Sequence, residues 1–195
     1  MERRGDLAAL GLVVGPVAFV AAWVVGGVAT PGYSPVDDAI SRIAAQGAPN
    51  RWLMTAGFVA YGVAVLVGSG ALRRSPLRPG WALAAVNGVA TLAVALTPLD
   101  RSELVDSLHG LSATVGYVAL AALPIACAPA LRSLGHRRAA AASVAAGLAT
   151  AACLVTTTVT DANGLFQRLG LGIGDVWLIA AGTWLYRLGS QDAQP

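Results

Sequence analysis

His109 and Asp106 stand three residues apart, a spacing that puts both side chains on one face of a helix. A carboxylate beside an imidazole favours the protonated ring and fixes its orientation, which suits acid–base work. The same pair also serves as a plain hydrogen bond at a helix start. Asp100 lies in the same polar stretch and is a second candidate to orient the ring. Asp175 is the acid interior to an otherwise uncharged apolar run, with Arg168 seven residues before it on the same helix face. A carboxylate at membrane depth is expensive, so it marks either a substrate or proton site or a structural pair with a neighbouring helix. Arg168 is a candidate anion clamp. Asp38 and Asp161 open two further polar stretches. Gathered together, Asp38, Asp100, Asp106, Asp161, Asp175 and His109 would make an acidic pocket. Clustered carboxylates raise one another's pKa, so one of them would hold a proton at neutral pH and donate it. A hard cation such as calcium also suits such a pocket, whereas zinc prefers nitrogen and sulfur.

Other chemistries fail on count or position. The chain has two histidines, too few for a three-histidine zinc hydrolase, and the other one, His136, falls in a different loop. Ser69, between Gly68 and Gly70, sits a membrane's width from His109, so the two do not form a nucleophile–base pair. The glycines at 170, 172 and 174 follow no strand and make no dinucleotide loop. Their spacing, like that of Gly11 and Gly15, suits close helix packing. Asn87 reads as interhelical glue, and the threonines at 156, 157, 158 and 160 either line a cavity or bond back to their own helix. Cys127 and Cys153 differ in depth by roughly 15 Å, too far for a disulfide, and read as inert buried thiols. No cofactor or metal is expected.

The elements that must position these residues follow from composition. The chain has 195 residues, 56% hydrophobic and 12% charged, with mean hydropathy +0.66. A soluble domain carries about a quarter charged residues, so the chain reads as an integral membrane protein. All 13 basic residues are arginines, scattered between apolar runs without a continuous stripe; a nucleic-acid partner is excluded on that ground. Six runs are long enough to cross about 30 Å of hydrocarbon. They predict an all-α, polytopic membrane protein with one six-helix domain over 1–195. The helices fall at about 7–29, 52–72, 80–97, 109–131, 139–160 and 168–187. The first run is too long for a signal peptide's apolar core and is read as a retained helix. Nine arginines (Arg3, Arg4, Arg73, Arg74, Arg78, Arg132, Arg137, Arg138 and Arg187) fall on one side, and four (Arg42, Arg51, Arg101 and Arg168) on the other. That bias puts both termini in the cytoplasm of a cell-membrane protein.

The three outer loops resemble one another. Asp38, Asp100 and Asp161 are 62 and 61 residues apart, and each leads to a glycine, at 47, 110 and 170. A short interfacial helix is expected in each loop, with Ile40 and Ile43 on one face of the first. A threefold hairpin repeat would give this spacing, and so would evenly sized hairpins.

Pro31-Gly32-Tyr33-Ser34 followed by Ile40-Ser41, Pro98-Leu99-Asp100 with His109-Gly110, and Gly164-Leu165-Phe166-Gln167-Arg168 with Trp177 together resemble the loop motifs of the "domain of unknown function 998" family. The likeness covers nearly the whole chain. It implies a six-helix membrane protein and no particular activity. It also implies that Tyr33, Ser34, Ser41, Asp100, His109, Gln167 and Arg168 matter together.

Three functions stay open. The first is a protein that binds a membrane lipid or other hydrophobic small molecule through its outer polar cluster. The second is an intramembrane acid–base enzyme, an isomerase, cyclase or hydrolase, with His109, Asp100 and Asp106 as its catalytic group. In either, Tyr33, Ser34, Asp38, Ser41, Asp161, Gln167, Arg168 and Asp175 would hold the ligand. The third is a small transporter or accessory subunit, for which a homodimer is expected.

Overall fold

The computed structural model describes residues 6–191, with side chains through Gly189. Arg3 and Arg4, counted above for orientation, lie outside the described residues. Six α-helices carry the chain: α1 Gly11–Val28, α2 Arg51–Arg73, α3 Trp81–Leu96, α4 Glu103–Ser133, α5 Arg137–Thr156 and α6 Asn163–Gln191. All six, with short 3-10 extensions on α1 and α3, are long and apolar enough to cross a membrane. There are no strands among the described residues.

Consecutive helices pack as neighbours, and α6 closes back onto α1. Where spans touch, small residues bring them close. A Cβ on Gly11 would run into the Ala64 carbonyl of α2, and Cβ atoms on Gly170 and Gly174 would meet Leu154 and Leu120. Less than half of each span is buried, and the remaining faces carry valines and leucines such as Val28, Leu96 and Val159. Apolar surface on every side is what hydrocarbon, not water, accommodates.

Helix ends differ from expectation for local reasons. α4 starts at Glu103, six residues early, because Ser102 caps it by accepting a bond from the Val105 amide at 3.3 Å. Glu103 and Asp106 then add negative charge to its first turn. α5 stops at Thr156, where the hydroxyls of Thr156, Thr157 and Thr158 donate back to Ala152, Leu154 and Val155. Three of the four threonines thus bond back to their own helix, and the Thr160 hydroxyl instead accepts from Ala162 N at 3.2 Å. α6 starts at Asn163, so the second and third outer stretches are the first turns of α4 and α6 and not separate interfacial helices. Only the first outer loop holds a short helix, the 3-10 segment Ile40–Ala44, and it faces inward: Ile40 and Ile43 are buried in the core.

Asp6 receives two hydrogen bonds from Arg74 at one end of the bundle. Arg42 pairs with Asp100 at 2.9 Å at the other. The α2–α3 turn thus shares an end with the start of the first span.

Candidate functional site

The loop between α1 and α2 is the centrepiece of its end of the bundle because it bonds to both the α3–α4 connection and the first turn of α6. Gln46 N donates to the Leu99 carbonyl at 2.8 Å, and Leu165 N donates to the Val36 carbonyl at 2.8 Å. Arg168, in the first turns of α6, fixes the loop most heavily. Its Nη1 donates to the carbonyls of Pro35, Asp38 and Gly164 at 2.8, 3.0 and 2.8 Å. Its Nη2 donates to the Tyr33 hydroxyl. The guanidinium also lies over the Trp23 and Tyr33 rings, 5.2 and 5.4 Å from their centroids. Gly164 has no side chain because a Cβ there would collide with the Asp38 and Pro35 carbonyls. Burial pushes the Tyr33 phenol above its ordinary value, against the pull of the Arg168 charge. Within the loop, Asp38 accepts from Ser34 N at 2.8 Å, and Ser34 Oγ donates to Asp37 at 2.6 Å. Tyr33, Ser34, Asp38 and Arg168 therefore form a clamp made largely of main-chain contacts.

Beneath this loop lies a cavity of about 50 Å³ bordered by the Ile40–Ala44 segment, α1, α2, α3, α4 and α6. That is room for a few water molecules. Its polar lining includes Ser41, Tyr61, Asn87, His109, Tyr117, Gln167 and Asp175. Its apolar side includes Phe19 and Phe58, whose ring centroids are 5.6 Å apart, and Phe19 also meets the Tyr61 ring edge-on at 5.4 Å.

His109 is buried, and its Nδ1 lies 2.6 Å from the carbonyl of Thr97, the residue that ends α3. A carbonyl only accepts, so Nδ1 carries the proton and donates. Nε2 is left as a bare acceptor with no hydrogen bond to the protein. The orienting group is thus a main-chain carbonyl. Asp106 instead accepts from the Asp100 amide at 3.0 Å, holding the turn in which Asp100 takes a left-handed backbone, φ 63°. These two acids shape the α3–α4 connection, and neither hydrogen-bonds the imidazole.

Gln167 bridges three elements. Its Oε1 accepts from Ile40 N at 2.7 Å, and its Nε2 donates to the Tyr117 hydroxyl of α4. Asn87 does the same deeper in the bundle. It accepts from the Tyr61 hydroxyl of α2 at 3.0 Å and donates to the Gly116 carbonyl of α4 at 3.0 Å. The glue reading of Asn87 holds, and the residue also lines the cavity. Asp175, roughly 18 Å along α6 from its start, is 3% exposed, and neither carboxylate oxygen has a hydrogen-bond partner.

Of the site residues expected from sequence, Ser41, His109, Gln167 and Asp175 meet at the cavity. Tyr33, Ser34, Asp38 and Arg168 hold the loop above it. Asp100 and Asp106 hold the turn beside it, and Asp161 is exposed after α5. The acids do not gather: no cluster of three or more His, Cys, Asp or Glu suited to a metal occurs among the described residues. Tyr61, Tyr117 and the Thr97 carbonyl were not anticipated. Tyr61 carried a signal, since a tyrosine in mid-span lies away from the interfacial belts where that residue collects.

Comparison with curated proteins and with solved structures finds no match. A family model described as "Protein of unknown function (DUF998)" matches residues 13–184. The three loop motifs, the six spans and this match agree, and the chain belongs to the DUF998 family.

Proposed function

We propose that this multi-pass membrane protein binds an amphiphilic, lipid-like molecule whose polar end enters the cavity beneath the first outer loop. The observation that carries this is the set of unsatisfied groups there. Both Asp175 oxygens are buried without a hydrogen bond, the adjacent Tyr61 hydroxyl being committed to Asn87, and the bond from His109 Nδ1 to Thr97 leaves Nε2 available in the same cavity. A concave site with an aromatic wall and a few convergent polar groups is the usual form of a small-molecule site. At about 50 Å³ the cavity holds a headgroup tip, so the rest of the ligand extends beyond it. The arginine bias supports a cavity in the outer leaflet of the cell membrane, with both termini cytoplasmic. Cysteines introduced at Ser75 and Ser102 test that placement: an impermeant thiol reagent on intact cells labels S102C and spares S75C.

The binding test uses an alkyl chain bearing a diazirine and a terminal hydroxyl, photolysed with the protein in nanodiscs. Labelling concentrated on peptides from 103–117 and 163–177, and reduced in His109→Ala, is the expected result. Labelling spread evenly over the lipid-facing helices and unchanged by the substitution overturns the reading.

The second reading, an acid–base enzyme, is favoured by one observation, the donation from Nδ1 to Thr97 that leaves Nε2 as a base. Lipid extracts of cells expressing the wild type and His109→Ala distinguish the two. An enzyme shifts one lipid species into another in a His109-dependent way, and a binder does not.

A further inference from the structure

We infer that the ligand's polar end is a protonated primary amine, with Asp175 as its counter-ion. This rests on the binding reading above and names the ligand chemistry. Asp175 is the sole formally charged side chain lining the cavity. It is 3% exposed, and its polar neighbour, the Tyr61 hydroxyl, gives its one proton to Asn87, so neither carboxylate oxygen receives a hydrogen bond. Arg168, the nearest arginine along α6, is spent on three carbonyls and the Tyr33 hydroxyl, so no cation from that helix answers the carboxylate. The second unsatisfied atom, His109 Nε2, is also an acceptor. An anionic or acceptor-rich headgroup such as a phosphate would bring no donor to these acceptors and would oppose ionisation of Asp175, whereas a cation favours it. An alkylammonium brings three donors and one positive charge, the complement of that inventory. Phe19, Phe58 and Tyr61 add the aromatic faces that attract a cation. An ammonium and its first carbon also suit the space of a few waters.

The same ammonium chemistry reaches the site from two sources, a long-chain amine in the membrane or a small soluble amine. The experiment therefore uses two photoprobes of equal length in nanodiscs, one ending in an ammonium and one in a hydroxyl. Dodecylammonium, dodecanol, dodecanoate and butylammonium serve as competitors. The ammonium probe is expected to label the cavity peptides, with dodecylammonium competing about tenfold better than dodecanol, the scale separating charged from neutral hydrogen bonds. Dodecanoate competes worst. Asp175→Asn, which keeps the shape, should erase the preference for the ammonium over the hydroxyl probe. If Asp175→Asn does not insert, the charge ranking in the wild type decides alone. Equal competition by dodecanol, or a preference that survives Asp175→Asn, overturns the amine assignment and leaves the binding reading intact. Failure of both probes to label the cavity overturns both. Butylammonium competing as well as dodecylammonium supports the ammonium site and overturns its membrane-chain source.

Discussion

Replacing Asn87 by alanine removes two hydrogen bonds that join α2, α3 and α4: one from Tyr61 at 3.0 Å and one to Gly116 at 3.0 Å. Hydrogen bonds between membrane helices average about 0.6 kcal/mol, with about 1.7 as the upper end. Two average bonds give about 1.2 kcal/mol, and about 3.4 kcal/mol is the ceiling. Relief by collapse is small, because the lost volume adjoins a cavity already present. Tyr61→Phe removes only the first bond and should cost about half as much. The informative quantity is the cycle. In the Asn87→Ala background the Tyr61 hydroxyl has already lost this acceptor, so Tyr61→Phe should cost about 0.6 kcal/mol less than in the wild type. Unfolding free energies from titration with a denaturing detergent in mixed micelles measure all four proteins. Fully additive costs, or an Asn87→Ala protein as stable as the wild type, would refute the idea that this amide ties three helices together.

Further perturbations reach other parts of the molecule. Tyr33 holds its proton more tightly folded than unfolded, so its stabilisation is complete below about pH 10 and is lost as pH rises through the higher folded value. Protection factors of amides in residues 30–50, corrected for intrinsic base-catalysed exchange, should therefore fall above that pH, and Tyr33→Phe should remove the fall; an unchanged profile in Tyr33→Phe counts against it. Arg168→Lys exchanges a planar fork for one ammonium that cannot span three carbonyls and a phenol, and is expected to cost about 1–2 kcal/mol. Faster proteolysis in the first outer loop would register it, and wild-type resistance would contradict it. Gly11→Ala drives a methyl into the Ala64 carbonyl and should destabilise by about 1–3 kcal/mol. Gly172→Ala meets nothing within 4 Å and should be neutral or stabilising, so equal effects in the same detergent titration would be the failing result.

The six spans were legible because bilayer thickness imposes one length on every crossing, and charged residues punctuate the runs. Their ends were less so. Ser102 and Asn163 start helices in polar stretches where hydropathy gives no cue, so a span rule begins α4 and α6 several residues late. His109 and Asp175 stood out as ionisable groups near or inside apolar runs, Ser41 and Gln167 only through the family's loop motifs, and all four line one cavity. Their partners were hidden for a physical reason. Main-chain acceptors such as the Thr97, Pro35 and Gly116 carbonyls carry no residue-type signal. Sequence reasoning therefore assigned to Asp100 and Asp106 the orienting role that a carbonyl fills. It also read Arg168 as a clamp for a ligand anion, when the guanidinium is engaged by the protein's own loop.

The bond between His109 and the end of α3 has a consequence for the direction in which protons travel. An imidazole that passes a proton straight through its ring takes one at one nitrogen and releases another from the second. Here one nitrogen is anchored to the main chain, and only its counterpart is available to exchange. Whatever proton the ring accepts must leave by the way it came. Such a group can lift a proton from a bound molecule and return it elsewhere on that molecule, whereas passing a proton through the ring would first require the bond to Thr97 to break.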